Sequence, residues 1–199
     1  MNAGPINHAQ SERFKRLAWP LMPVVLRSAQ YLDRRADHAD DLAQETMIKA
    51  MRAIDSYQDG TDMKAWLMTI LRRTHIDWLR AKKNRPLQLS LEAQDVDLPA
   101  DEDLEAGCFD ESWHEPEAMM SRFDDESVTE ALRSLPDDLR WTLLLVDVEQ
   151  MEHADAATVL NVAVGTIKSR THRGRAMLRD RLHQWAVQRG WISSQEKLS

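Results

Sequence analysis

The chain has 199 residues, 33 acidic against 26 basic side chains for a net charge of −7, and one cysteine, Cys108. That length holds one large domain or two small ones with real cores. One cysteine excludes an internal disulfide and a cysteine-rich zinc site and suits a reducing cytoplasm, and no apolar run is long enough to span a bilayer. The segment Met1–Arg16 is polar without an apolar h-region, unlike a signal peptide.

The charge is segregated along the chain. Residues 1–86 carry 15 Lys/Arg against 10 Asp/Glu, residues 87–130 carry 1 against 15, and residues 131–199 carry 10 against 8. An acidic middle therefore separates two basic flanks, an asymmetry that the overall charge hides.

In chain order, Phe14–Leu32 reads as helix bent around Pro20 and Pro23. A second helix spans Asp40–Ile54, with Asp40 or Asp41 near its start, where a carboxylate suits the helix dipole. Ser56–Asp62, with Gly60, is a polar loop. Met63 to about Lys83 forms a long helix with Trp66, Ile70, Ile76 and Leu79 among its apolar positions, ended by Pro86. Residues 87–115 have few periodic apolar positions and many acids, and read as an extended or disordered linker. Helix resumes at Glu117. Val128, Leu132 and Leu135 lead to Pro136, and Asp138–Val148 follows as an apolar helix. No strand-like alternation of useful length, internal repeat or catalytic motif (HExxH, G-x-S-x-G, GxxxxGK[ST]) occurs. The fold class is all-α: two small helical domains on an acidic tether. Their boundaries fall at 10–86 and 117–185, with a linker at 87–116 and a tail at 186–199.

The most informative stretch follows. A short helix over Asp155–Leu160 ends at Asn161, a residue that tolerates the left-handed conformation of a tight turn. Beyond it, Ile167, Thr171, Gly174, Leu178 and Leu182 form one stripe of a 3.6-residue period. Lys168, Ser169, His172, Arg173 and Arg175 fall away from that stripe. Short helix, tight turn and basic amphipathic helix make a helix-turn-helix, whose second helix enters a DNA major groove. The basic pattern alone is equally compatible with an ordinary surface helix.

Four blocks, in order, resemble the extracytoplasmic-function (ECF) sigma factors of bacterial RNA polymerase. They are Asp40-Asp41-Leu42-Ala43-Gln44-Glu45-Thr46-Met47, the helix Ala65–Arg73 continuing through Ile76–Arg80, Leu135-Pro136-Asp137-Asp138-Leu139-Arg140, and Val164–Arg170 with His172–Arg175. Together they cover residues 14–183. The resemblance implies a sigma-2-like helical bundle and a sigma-4-like helix-turn-helix domain. It implies a transcription initiation factor without cofactor or catalysis of its own, which binds core RNA polymerase and promoter DNA and is restrained by an anti-sigma factor, membrane-bound or soluble.

Residue by residue, the resemblance places core-polymerase binding at Asp41, Gln44, Glu45 and Ile48, opposite the side covered by Met47, Ala50, Met51 and Ile54. Taken alone, these residues also fit a solvated face. The −10 element falls to Arg72, Arg73, Arg80, Lys82 and Lys83, which can follow phosphates, and to the loop of Tyr57, Gln58 and Asp59, which could hydrogen-bond an unstacked base. Trp66 reads as core, and Trp78 is open. On the last helix, Ser169, His172 and Arg173 project together into the groove beside Lys168, while Thr166 and Arg175 suit flanking phosphates. Arg73 and Met63 stand where the family often has Asn and an aromatic, so the preferred −10 base does not carry over. Asn161 replaces a frequent Gly and Ala163 a frequent Pro, while Thr171 replaces an apolar residue and weakens the stripe. Two readings compete: a two-domain helix-turn-helix regulator that never touches polymerase, and a sigma-mimicking protein that titrates an anti-sigma factor. Neither explains the Asp41/Gln44/Glu45 block together with the cations of the last helix.

Overall fold

A computed structural model describes residues 8–33, 35–84 and 125–189, and all the regular elements in these residues are helical. The first group comprises α1 (His8–Leu17), α2 (Met22–Leu32), α3 (Ala36–Ala53) and α4 (Met63–Asn84), with single 3-10 turns at Trp19–Leu21 and Ile54–Ser56. The break expected near the two prolines is real. Pro20 opens the 3-10 turn and Pro23 opens α2, first-turn positions where a missing N–H costs nothing.

α3 begins earlier than its acidic pair suggested. The Asp33 carboxylate accepts the Arg35 backbone N–H at 3.0 Å and Asp37 supplies the first-turn acid, so Asp40 and Asp41 lie inside the helix and cap nothing. At the start of α4, Asp62 accepts the Lys64 backbone N–H at 2.7 Å, the bond an N-cap makes. Gly60, at φ +92°, supplies the left-handed residue of the preceding loop.

The second group comprises α5 (Asp125–Arg133), α6 (Asp137–Leu143), α7 (His153–Leu160) and α8 (Val164–Gln188). The Leu135-Pro136 corner is sewn by Arg140, which donates to the Arg133 carbonyl at 3.0 Å and pairs with Asp137. The apolar run expected as one helix to Val148 changes character. Leu144–Val148 widens into a π turn, closed by the Glu149 N–H on the Leu144 carbonyl at 2.9 Å, and Gln150 follows at φ +52°. Such turns re-aim the side chains beyond them, here Asp147 and Glu149. The linker expected at 87–116 and the start of helix at Glu117 lie outside the described residues. α8 runs to Gln188, past the expected start of the tail at 186, and the tail from residue 190 on lies outside the description.

Instead of two separate cores, one apolar cluster crosses between the groups. Val25, Leu42, Ile54, Leu67 and Leu71 share it with Trp141, Leu144, Leu145 and Ile167. A smaller cluster of Val128, Leu132, Leu135, Leu143, Leu178 and Leu182 holds α5 and α6 onto α8. α2 packs on α5, and α4 packs on α7. Among the described residues no helix is long and apolar enough to cross a membrane.

Candidate nucleic-acid interface

The helix-turn-helix is built as its pattern predicts. Asn161 sits at φ 54°, ψ 50°, and the following Val162 N–H returns to the Ala157 carbonyl at 3.1 Å, so the turn closes the C-terminus of α7 in a left-handed cap. Ile167, Thr171, Gly174, Leu178 and Leu182 are all buried, and Ala186 extends their stripe. A Cβ on Gly174 would lie 3.0 Å from Leu143, so the glycine lets α8 approach α6 closely. The Thr171 hydroxyl donates to the Ile167 carbonyl at 2.8 Å, so this polar member of the stripe is satisfied where it is buried.

Lys168, Ser169, His172 and Arg173 are exposed together on the opposite side, and Thr166 is half-buried beside them. Arg175 departs from its expected place among flanking phosphates. Its Nη2 and Nε donate to the two oxygens of Asp147 at 2.6 and 3.1 Å, and that carboxylate is only 9 % exposed. The π turn delivers Asp147 to this spot, and Arg175 becomes a brace between the turn and α8.

The loop after α3 also differs from its expected role. Tyr57 is buried, its hydroxyl donates to the Thr61 carbonyl at 2.5 Å, and its ring meets Trp66 edge-on at 5.6 Å, so it shapes the loop from within and is not placed to meet a base. Gln58 and Asp59 are exposed. Arg13 of α1, which the sequence did not single out, holds the loop by donating to the carbonyls of Ile54 and Tyr57 at 2.9 and 2.8 Å and to the Asp59 carboxylate at 2.8 Å. Trp66 is part of the core periphery, as read.

On α4 the cations divide. Arg73, Arg80 and Lys82 are exposed, and Lys83 lies on the last turn. Arg72 is half-buried, and burial together with the charges of Arg170 and Arg73 pulls it below the ordinary arginine range. His75 is buried against the Trp141 ring at 5.8 Å with no partner for its Nδ1. Burial, reinforced by nearby Arg140 and opposed by Asp33, pushes its pKa down to about 4.

On α3, Asp41, Gln44 and Ile48 form an exposed patch, Ile48 being 45 % exposed. Glu45 has a second occupation. It accepts the Trp78 indole N–H at 2.5 Å and pairs with Lys49 at 2.9 Å. Burial raises its pKa, but these hydrogen bonds and the Lys49 charge outweigh that and hold it below the usual carboxylate range. Trp78 is thereby an α3–α4 fastener.

One constellation is absent from the sequence reading. The side chain of Glu149, 2 % exposed, accepts Arg27 in a fork at 2.9 and 3.0 Å and the Ser28 hydroxyl at 3.0 Å, while its backbone carbonyl accepts Lys64 Nζ at 2.5 Å. Partners separated by 122 positions leave no local periodicity to find.

The comparisons agree with this geometry. A model of Sigma-70 region 2 matches residues 20–85, and a model of Sigma-70, region 4 matches residues 125–178. The chain is 34% identical over 157 residues to the ECF RNA polymerase sigma factor EcfG of Rhodopseudomonas palustris, covering 79% of this chain and 78% of that one. It is 32% identical over 158 residues to the ECF sigma factor SigE of Mycolicibacterium smegmatis, covering 79% and 57%. Among solved structures, the sigma factor RpoE crystallised with the anti-sigma factor NepR from Bartonella quintana superposes with a TM-score of 0.63 at 28% identity, over 85% of this chain and 96% of that one. CnrH, solved with the cytosolic domain of CnrY, shares the fold at a TM-score of 0.58 and 19% identity, over 88% and 95%. The chain belongs to the extracytoplasmic-function family of RNA polymerase sigma factors, the initiation factors that direct polymerase to promoters.

Proposed function

We propose that this sigma factor divides its work among three surfaces. Asp41, Gln44, Glu45 and Ile48 on α3 meet core RNA polymerase. Gln58, Asp59, Arg72, Arg73, Arg80, Lys82 and Lys83 meet the −10 region, and Thr166, Lys168, Ser169, His172 and Arg173 meet the −35 element. The observation that carries the reading is α8. Its stripe from Ile167 to Leu182 is buried while Lys168, Ser169, His172 and Arg173 share the open side, the arrangement a groove-entering helix requires. The protein has no catalytic step of its own and works in the cytoplasm beside polymerase. An anti-sigma factor restrains it, a role supported by the likeness to the sigma factor solved with NepR.

Each basic surface is small and the whole chain is acidic, so the free protein binds closed promoter duplex weakly, and core polymerase supplies the missing affinity. The test adds purified protein to core polymerase on promoter templates and measures run-off transcript. Promoter-specific transcript only in the presence of both is expected. Tight, sequence-specific binding of closed duplex by the free protein, with no transcript, would establish a polymerase-independent regulator instead.

A further inference from the structure

The loop after α3 secures its own turn but not its own tip. The Thr61 N–H and hydroxyl both donate to the Gln58 carbonyl, at 3.2 and 2.8 Å, and the Tyr57 hydroxyl closes on the Thr61 carbonyl. These bonds tie residues 57 and 58 to residue 61. They leave the side chain of Asp59, next to Gly60 at positive φ, without a bond from the loop itself. That side chain is 76 % exposed. An aspartate so placed is free to change rotamer, and a bare carboxylate is repelled by the phosphates of nearby DNA.

Both needs are met from α1, which lies ahead of residues 20–85 matched to Sigma-70 region 2. Phe14 is buried and anchors α1, which packs on α3 and on the turn at Ile54–Ser56. Gln10 and Arg13, one helical turn apart, share a side. Gln10 donates to the Asp55 carboxylate at 2.5 Å. Arg13 Nη1 donates to the Ile54 carbonyl at 2.9 Å, at the foot of the loop. Its Nη2 donates at 2.8 Å both to the Tyr57 carbonyl and to Oδ1 of Asp59 at the tip. The guanidinium also lies 5.9 Å from the centre of the Tyr57 ring. Foot and tip are thus bound to one planar, permanently charged group. Oδ2 of Asp59 has no hydrogen-bond partner among the described residues.

We propose that Arg13 is a positioning residue for base selection at the −10 element. It fixes Asp59 in one orientation and neutralises it, so that the free carboxylate oxygen meets an unstacked base at a set place. The inference rests on the assignment of Gln58 and Asp59 to the −10 region and adds the group that makes them selective. Arg13 acts through Asp59, because its donors are turned to protein acceptors. A wrong base loses its bond to a fixed acceptor, whereas a mobile acceptor follows it, so fixing the group favours discrimination. A lysine would keep the charge but not the placement, since a compact ammonium on a flexible stem cannot reproduce the fork across three acceptors.

The experiment assembles the full chain with core polymerase and measures transcript from two libraries, one varying the −10 bases and one the −35 bases. The variants are Arg13→Ala, Arg13→Lys, Asp59→Ala, Gln58→Ala and the double Arg13→Ala/Asp59→Ala, each checked for native helix content by circular dichroism. Asp59 is exposed, so its removal tests the same placement with the fold intact even where Arg13→Ala disturbs the loop. The ratio of output between the best and worst base at the loop-read position should contract about fivefold or more in Arg13→Ala, Arg13→Lys and Asp59→Ala. The −35 ranking and the affinity for core polymerase should stay as in the wild type. The double variant should contract the ratio little beyond Asp59→Ala, because both substitutions remove the same placement. A uniform fall in transcript with the −10 profile preserved in Arg13→Ala makes Arg13 a loop staple without a part in selection, and overturns the proposal. Recovery of the wild-type profile by Arg13→Lys overturns it too, since charge alone would then suffice. If Asp59→Ala and Gln58→Ala both keep the wild-type −10 profile, the assignment of the loop to the −10 element falls, and this inference with it.

Discussion

The two basic helices, α4 and α8, resemble each other as sequence and differ as structure. Each is long, amphipathic and rich in arginine. α8 keeps one side for its own domain and one for solvent, so its buried stripe and its exposed cations separate as a 3.6-residue period dictates. On α4 the two kinds of residue share one sector: at about 100° per residue Leu71 and Met68, which belong to the shared cluster, lie among Lys64, Arg72 and His75, which face the second group. A helix with one partner shows its function through periodicity. A helix whose polar residues meet a second group among its apolar ones hides part of it, because its period no longer separates the two kinds.

Acid should break the comparison most visibly. His75 is neutral in its buried site and titrates near pH 4, whereas in the unfolded chain it takes its proton near the ordinary histidine value. The unfolded state therefore binds more protons between those limits, so stability is full above about pH 6.5, falls as pH drops toward 4, and changes no further from this group below that. The loss is on the order of 3 kcal/mol at 1.36 kcal/mol per unit. The groups facing the ring include Trp141 and Arg140 of α6 and Asp33 at the end of α2, so the loss centres on the contact between the two groups of helices. Denaturant unfolding across this range should show the slope in the wild type, and His75→Gln should flatten it. Equal slopes in wild type and His75→Gln would refute the account.

The same contrast explains what the sequence disclosed. Periodicity on α8, the left-handed Asn161 and the proline breaks are local facts, and each stands where it was read. Arg175, Tyr57 and Glu149 were not legible because their partners are set by tertiary placement. Arg175 lies at the border between the buried stripe and the cations by spacing, and Asp147 reaches it from a π turn that an apolar run does not announce. Tyr57 lies in a polar loop by composition, yet its hydroxyl closes that loop on Thr61 and its ring is packed on Trp66. Exposure of the surfaces on α3 and α8 was anticipated, whereas the closed contact between the two groups was not.

Arginine function should also differ between the two helices. Arg173 projects from the open side of α8 beside Ser169 and His172, and a base-reading arginine is worth about 1–3 kcal/mol of discrimination. Arg73 and Arg80, on a helix suited to phosphates, should weaken all promoters about equally and lower the salt slope by about one unit each. Transcription from a library of −35 variants measures both effects. Arg173→Ala should reorder the ranking, and Arg73→Ala should lower output while preserving it. A preserved ranking in Arg173→Ala would move base reading to another side chain of α8.

The smallest effect on stability, and the sharpest separation of structure from function, belongs to α3. Its patch reads as four equivalent residues in sequence, but Glu45 is committed to Trp78 and Lys49 whereas Asp41 and Gln44 are exposed. Charge reversal at Glu45 would therefore confuse a lost fastener with a lost docking contact. Asp41→Lys and Gln44→Lys remove no such contact. Each should change unfolding free energy by no more than about 0.5 kcal/mol, as exposed substitutions do. Affinity for core polymerase should nevertheless fall, and fall less steeply at high salt, where the repulsion introduced is screened. Glu45→Gln offers the internal comparison: it keeps an acceptor for the indole and loses the pull of Lys49, so its cost should appear in stability above about pH 4.5, where the wild-type carboxylate is ionised, and vanish as acid protonates it. If Asp41→Lys instead lowers stability by more than 1 kcal/mol, a cost well above the range typical of surface sites, and leaves polymerase affinity unchanged, the exposed side of α3 is a solvated helix face and the docking surface lies elsewhere on the first group.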